Sequence, residues 1–206
     1  MNHTRERILQ ASEELFRRQG FTGTGIKQIL GVAEAPFGSL YHHFPGGKDE
    51  LAAETLLRAG DHYAAIVTEK LTETDDVVAN VRTAFRAAGQ TLVDTGYADA
   101  CPIETVALEV ASTNEPLRLA TAEVFESWIV GLTLLLQAEG IAEDRARELA
   151  QVVICALEGA FILARASRTT DALHACGDAM ADLVAASLTA GTRARQPARR
   201  RPRSPR

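Results

Sequence analysis

Residues 36–48 gather side chains that could bind a polyanion. Ser39, Tyr41, His42 and His43 lie in one short run, and Lys48 begins the next helical pattern. Hydroxyl and imidazole groups donate hydrogen bonds to phosphate oxygens, and a lysine near a helix N-terminus adds positive charge where backbone amides already favour anions. This pattern predicts a surface that contacts the phosphates and base edges of DNA.

Three short helices are expected to position these side chains. Apolar residues at helical spacing predict a helix over residues 4–19, a second that begins near Ile26, and a third over residues 36–44 that ends at Pro45. Two helices joined by a tight turn, the second of which enters the major groove, form a helix-turn-helix. The first 47 residues are therefore interpreted as a DNA-binding domain.

The third helix has an inward and an outward face. Helical spacing turns Leu40 and Phe44 into a small core, together with Ile8, Phe16 and Ile29. The remaining side chains face outward, towards the groove: Phe37, Ser39, Tyr41 and His42.

The rest of the chain keeps a helical period and shows no strand-like alternation, so the predicted fold class is all-α. Helices are expected near residues 48–70, 76–95, 101–112, 115–139, 143–167 and 171–190. Residues 48–190 would form a helical effector-binding and dimerisation domain. Residues 191–206 are rich in arginine and proline and are expected to be a disordered tail.

Charge is distributed unevenly along the chain. The net charge is −5, but residues 1–50 hold six basic and six acidic side chains, and residues 193–206 hold seven arginines and no acid. The first 47 residues, here called the head, are thus close to neutral, while the larger domain is acidic. This distribution suits a protein that presents only its head to DNA. The arginines near the C-terminus could add salt-dependent, sequence-independent affinity.

Other functional classes are disfavoured by the residues. The five histidines are scattered, no serine or cysteine lies in a nucleophile motif, and no glycine-rich phosphate loop follows a strand, so an enzyme is not expected. No cofactor or metal is expected, since the three cysteines lack ligand spacing. The chain begins without a leader-like segment or a long uninterrupted apolar run. We therefore expect a cytoplasmic protein that does not bind a membrane.

The run Gly38-Ser39-Leu40-Tyr41-His42-His43-Phe44, followed by Lys48, resembles the signature of the TetR family of bacterial transcriptional regulators. Further motifs, among them Cys101-Pro102-Ile103 and Leu157-Glu158-Gly159-Ala160, resemble its LmrA/YxaF-like branch. The resemblance implies a homodimer that represses genes from a palindromic DNA operator until a small-molecule effector releases it.

The resemblance also implies roles in the head. The positions that match phosphate or groove contacts, with Lys27 beside them on the second helix, are Thr24, Lys27, Phe37, Ser39, Tyr41, His42, His43 and Lys48. Two residues depart from the family pattern. Glu34 stands where the turn usually has glycine, and Phe37 stands where lysine is common. Phenylalanine can press on a thymine methyl group, so we expect a T at the operator position that Phe37 faces.

The dimer is expected to form through the last two helices. Residues 143–167 are apolar nearly all round, and a helix without a polar face must be covered on every side. The expected interface residues are Val152, Val153, Ala156, Ala160, Leu163, Leu173, Cys176, Met180, Leu183 and Leu188. A monomer that buries both faces internally is the alternative.

An effector site would lie among the helices between residues 76 and 167. Its expected lining is Cys101, Glu104, Val106, Phe125, Trp128, Ile129, Glu158 and Phe161, which favours an aromatic or lipophilic effector. Glu158 interrupts an apolar stretch, and a buried carboxylate needs a partner. That partner could be the effector or an arginine such as Arg118 or Arg165.

Two alternatives keep the same fold. A metal-responsive regulator could use a pair such as His174 and Cys176, although a two-residue offset separates such side chains around a helix. The chain could also act through protein partners, with Glu34 and Phe37 as signs of lost DNA binding.

Overall fold

The computed structural model describes residues 3–195, which fold into nine α-helices without a strand. The helices are α1 (His3–Gln19), α2 (Ile26–Val32), α3 (Gly38–His43), α4 (Gly47–Leu71), α5 (Val77–Asp94), α6 (Pro102–Val110), α7 (Glu115–Ala138), α8 (Glu143–Ser167) and α9 (Asp171–Arg195). The predicted all-α fold class is confirmed.

Local sequence signals set several helix boundaries. The carboxylate of Asp76 accepts from the backbone amides of Val78 and Ala79, and the Asn114 side chain accepts from the amide of Leu117, so both residues cap a helix start. The third helix begins at Gly38 and not at the predicted Pro36. The difference arises because Pro36 and Phe37 form a tight turn, in which their carbonyls accept from the amides three residues further on.

The head core is the one that the helical spacing predicted. Ile8, Phe16, Ile29, Leu40 and Phe44 are fully buried. They belong to a larger cluster that continues into α4, α6 and the first half of α7. The head is therefore packed directly against the larger domain, so a movement of α4 or α6 would displace residues of the head.

A second core lies at the other end of the molecule. It joins the ends of α4 and α7 to α5, α8 and α9, with Phe85, Leu92 and Leu136 among its fully buried side chains. Helix α9 packs on both α5 and α8, and α8 also packs on α7. The two cores meet along α4 and α7, which run through both.

Helix α9 continues to Arg195. The first five residues of the predicted tail, 191–195, are therefore helical, which corrects that part of the prediction. Residues 196–206 lie outside the described part of the chain.

Helices α7 and α8 are long and apolar enough to cross a membrane, judged by length and composition alone. A core helix of a soluble protein passes the same test. In this fold the two helices pack on each other, and α7 also packs on α4.

Candidate nucleic-acid interface and effector site

The outward face of α3 is aromatic and polar. Phe37 and Tyr41 are 57% and 52% exposed, and their rings lie 6.3 Å apart between centroids. His42 is exposed beside them, while Ser39 and His43 are half-buried. The buried side chains of Leu40 and Phe44 fix the rotation of α3, so Phe37, Tyr41 and His42 of the predicted outward set face solvent, while Ser39 does so only in part.

His43 differs from His42 in its surroundings. Partial burial, together with the nearby positive charges of His42 and Arg5, lowers the pKa of His43. A lowered pKa leaves the imidazole neutral at pH 7, and a neutral imidazole can still donate one N–H to a phosphate.

The predicted phosphate contacts at the start of α2 differ in their exposure. The Thr24 side chain is 1% exposed, and its hydroxyl donates to the Gly20 carbonyl at 2.6 Å. This placement contradicts the predicted DNA contact of the Thr24 side chain, because a buried and bonded hydroxyl cannot reach a phosphate. Lys27, on α2, is exposed.

Lys48 has a structural contact as well as a position near the start of α4. Its ammonium donates to the Phe21 carbonyl at 2.6 Å and lies 4.0 Å from the centre of the Phe21 ring. Burial lowers its pKa, against the raising effect of Asp49 and Glu109. An ammonium has three N–H donors, so a phosphate contact remains open to Lys48.

Glu34 has a left-handed backbone conformation, at the turn position where glycine is usual. Its φ is +48°, in the turn between α2 and α3, where glycine would be unstrained. The turn is held by a bond from the Ala35 amide to the Leu30 carbonyl at 2.9 Å and by Arg7, which donates to the Glu34 carbonyl at 3.2 Å. The side chain of Glu34 is exposed and places a negative charge beside α3.

Helix α6 connects the larger domain to the head. The Glu109 carboxylate accepts from the Thr22 amide at 2.7 Å, and it occupies the place that a Cβ on Gly20 would need. Asp99, just before α6, pairs with Arg17 at 2.8 Å and Arg18 at 3.3 Å. Sequence reasoning missed both acids, since their partners are more than 80 positions away in the chain.

The predicted effector-binding residues divide between the two cores. Cys101 and Val106 are buried in the first core, and Phe125 and Trp128 pack against it with their rings 5.7 Å apart, edge to face. Ile129 and Phe161 pack against the second core. Two surface cavities, of about 410 and 300 Å³, are lined by residues outside the predicted set.

Cys101, Glu104 and Glu158 come together between α6 and α8. Burial, followed by the charge of Glu104, raises the pKa of Glu158 to about 8, against the lowering effect of a hydrogen bond from the Cys101 thiol. Burial also raises the pKa of Glu104. The Cys101 thiol has a pKa well above its usual value, because of burial and of the neighbouring Glu158.

The predicted arginine partner of Glu158 is not found. Arg118 pairs instead with Glu115 at 2.6 Å, and Arg165 donates to the carbonyls of Tyr97 and Ala98 at 3.4 and 3.3 Å. One carboxylate oxygen of Glu158 is buried without a hydrogen-bond partner. The other partner considered, a ligand, stays a prediction.

The predicted dimer residues are only partly available to a partner. Val152, Leu163 and Leu183 are exposed, and Ala156, Cys176 and Leu188 are half-buried. Ile162, which was not in the predicted interface set, is 49% exposed. Four predicted members pack inside their own subunit, which corrects their assignment: Val153, Ala160, Leu173 and Met180.

No group of three or more histidine, cysteine, aspartate or glutamate side chains within residues 3–195 could hold a metal ion. Of the pair considered above, His174 is exposed and Cys176 is half-buried.

A short helix with an outward polar face, held on a three-helix head and joined to a larger helical domain, defines a helix-turn-helix regulator. The comparisons with known proteins agree. Residues 8–55 match the model described as bacterial regulatory proteins, tetR family, and residues 77–179 match the LmrA/YxaF-like transcriptional regulator C-terminal domain. The chain belongs to the tetR family of bacterial regulatory proteins, and its larger domain to the LmrA/YxaF-like group.

Individual relatives cover most of the chain. It is 33% identical over 160 residues to the HTH-type transcriptional regulator YxaF of Bacillus subtilis (strain 168). The matched segment covers 78% of this chain and 84% of YxaF. It is 33% identical over 172 residues to the HTH-type transcriptional regulator LmrA of the same organism, covering 83% and 92%. Both relatives are regulators and not enzymes.

The fold is also shared with solved structures. A regulatory protein TetR from Rhodobacter sphaeroides superposes with a TM-score of 0.76 at 22% identity, covering 86% of this chain and 97% of that one.

Proposed function

We propose that this protein is a transcriptional repressor that binds a palindromic operator as a homodimer and is released by a small molecule. The observation that carries the proposal is the exposed face of α3, on which Phe37, Tyr41 and His42 stand free while Leu40 and Phe44 anchor the helix. Repression follows because a dimer that occupies an operator excludes other proteins from the same DNA.

Each exposed residue has a role in this proposal. Tyr41 and the neutral His43 donate to phosphates, His42 reaches base edges, and Phe37 packs on a thymine methyl group. Lys27 on α2 supplies a positive charge, and Lys48 adds a second one from the start of α4. Thr24 holds the loop before α2 and has no direct role at the DNA.

The dimer brings two α3 helices to successive major grooves, about 34 Å apart. The exposed apolar residues of α8 and α9, above all Val152, Leu163 and Leu183, support an interface there. Large apolar side chains at such exposure on adjacent helices are usual where a second subunit covers them. We propose a cytoplasmic protein, since its operator lies on the chromosome.

Effector release would act through α6. This helix follows the buried Cys101, carries the half-buried Glu104 in its first turn and ends near Glu109, which holds the loop before α2. An effector that separates α6 from α8 would move that loop and change the spacing of the two α3 helices. The shift is only as large as the effector's preference for the DNA-free conformation.

Selection of bound fragments from a random DNA pool tests the proposal. The expected result is one enriched sequence with two-fold symmetry and half-site centres about ten base pairs, or a multiple of one helical turn, apart. If no sequence is enriched over several rounds, DNA binding is excluded, and a search for protein partners of the α3 face becomes the next step.

A further inference from the structure

Two carboxyl groups meet between α6 and α8 without satisfying each other. Glu104 Oε1 and Glu158 Oε2 are both buried, and neither accepts a hydrogen bond from the described residues. A buried acceptor without a donor costs about 1–3 kcal/mol. Two such unsatisfied oxygens, on acids whose charges act on each other, indicate that something outside this chain completes them.

Among the described residues, Glu158 has no cation that lowers its pKa, and Glu104 has only the charge of Arg165. Arg165 is near enough to lower the pKa of Glu104, but its guanidinium already donates to two backbone carbonyls. On the α4 side the titratable group is Tyr63, which pairs with Arg17. Cys101 contributes a buried, neutral thiol. The negative charge of an ionised Glu158 is therefore unbalanced.

We propose that the cluster of Cys101, Glu104 and Glu158 recognises a positively charged nitrogen, an ammonium or amidinium group, on an effector whose remaining body is apolar. Carboxylates offer only acceptors, and a group that carries both positive charge and several N–H donors satisfies both oxygens at once. The inference rests on the proposed function, because it names the chemistry of the effector of that same regulator.

The surroundings fit an apolar body attached to the charged group. The first core, which contains Cys101 and Val106, has Phe125 and Trp128 at its partly buried margin. The Trp128 N–H is occupied by the Gly60 carbonyl at 2.9 Å, so its ring offers an apolar face and no free donor. Aromatic rings of this kind also attract cations.

Proton release separates a cationic effector from a neutral one. With a pKa of about 8, Glu158 is protonated in the free protein at pH 7. A cation favours the ionised form, so its binding expels a proton and becomes tighter as the pH rises towards 8. A neutral alcohol that donates to the same oxygen expels none.

The experiment uses the full chain and matched compounds. Thermal unfolding is followed with 2-phenylethylamine, 4-phenylbutylamine and benzamidine, and with neutral analogues in which a hydroxyl or carboxamide replaces the charged nitrogen. The charged compounds are expected to raise Tm and the neutral ones to leave it unchanged. Isothermal calorimetry in phosphate and Tris buffers is expected to detect release of up to about one proton per subunit at pH 7.

Two variants make the test specific. Glu158→Gln keeps the side-chain shape and removes the charge, and we expect it to weaken amine binding about tenfold or more. Glu123→Gln changes an exposed acid on α7 and should bind amines as the unchanged protein does. The proposal is overturned if no charged compound raises Tm, if neutral analogues raise it equally, or if Glu158→Gln binds amines undiminished.

Failure of this proposal can be told apart from failure of the proposed function. Operator binding is measured with both classes of compound. Release by neutral compounds alone would retain the ligand-responsive repressor and reject the charged effector. If compounds that bind the protein leave operator affinity unchanged, the sensing function itself is wrong.

Discussion

At the residue scale, Glu34 departs from the family pattern and strains the backbone of the turn before α3. Glutamate stands where the turn usually has glycine, and its φ is +48°. A side chain in this region costs about 1 kcal/mol relative to glycine. Its exposed carboxylate also lies beside the DNA-facing helix.

Replacing Glu34 with glycine should therefore stabilise the protein by about 1 kcal/mol and tighten operator binding about twofold at low salt. Chemical denaturation and mobility-shift titration measure the two effects. Glu34→Gln is the matched control, because it removes the charge and keeps the strain, so it should share only the gain in affinity. Equal stability of the two variants would argue against strain at this position.

The exposed Phe37 leads us to expect a thymine in the operator. Its exposed ring can contact a thymine methyl group but cannot bind a phosphate. Replacing the thymine it faces with uracil removes only that methyl group, and should weaken binding by about 1 kcal/mol, roughly fivefold. Unchanged affinity for the uracil operator would remove Phe37 from base recognition.

Glu158 makes the stability of the free protein depend on pH. Its folded pKa of about 8 lies above the ordinary value of 4.5, so the native state keeps a proton that the unfolded chain releases. This contribution to stability is fully present below pH 4.5 and is lost as the pH rises through 8, on the order of 5 kcal/mol over the whole range. Denaturant titrations at pH 6 and pH 8.5 should show this loss in the unchanged protein and a smaller one in Glu158→Gln; equal losses would contradict it.

At the scale of elements, α6 is the part that sequence reasoning described least well. Its helical period was visible, but its contacts to the head depend on pairs such as Glu109 with Thr22, 87 positions apart. Short-range periodicity carries no information about such pairs. By contrast, Leu40 and Phe44 were assigned to the core correctly, because helical spacing alone decides which side of a short helix is apolar.

The bond between Glu109 and the Thr22 amide can be removed separately. Glu109→Ala should speed hydrogen exchange of that amide about tenfold, since a bond to a charged acceptor contributes roughly 1.5 kcal/mol. Glu109→Gln retains an acceptor oxygen and should stay close to the unchanged rate. Nuclear magnetic resonance exchange rates decide the matter, and an exchange rate unaffected by alanine would show that α6 does not hold this loop.

Helix α8 shows a second limit of sequence reasoning. Because it is apolar nearly all round, periodicity could not separate the side that packs inside the subunit from the side left open. The structure makes that separation: Ala146, Ala150 and Ala160 face inward, and Ile162 and Leu163 face outward. The small residues allow close packing within the subunit, where Leu149 and Val153 are also buried.

At the scale of the whole molecule, the proposed dimer joins the DNA-binding face to the larger domain. Leu163→Asp would place a charge in the centre of the proposed α8 and α9 interface, and should give a folded monomer by sedimentation velocity and circular dichroism. Leu108→Asp is the control, since Leu108 is 74% exposed on α6, away from those helices. A Leu163→Asp protein that remains dimeric would place the interface elsewhere.

The central claim is that the exposed face of α3 reads a DNA operator. The most direct test is a mobility-shift titration of the selected operator with the unchanged protein, His42→Ala and His62→Ala. Both histidines are exposed, but His42 lies on α3 and His62 on α4. We predict that His42→Ala weakens operator binding by about 1–3 kcal/mol, roughly 5- to 150-fold, while His62→Ala binds as the unchanged protein does. Equal affinity of all three proteins would contradict the claim.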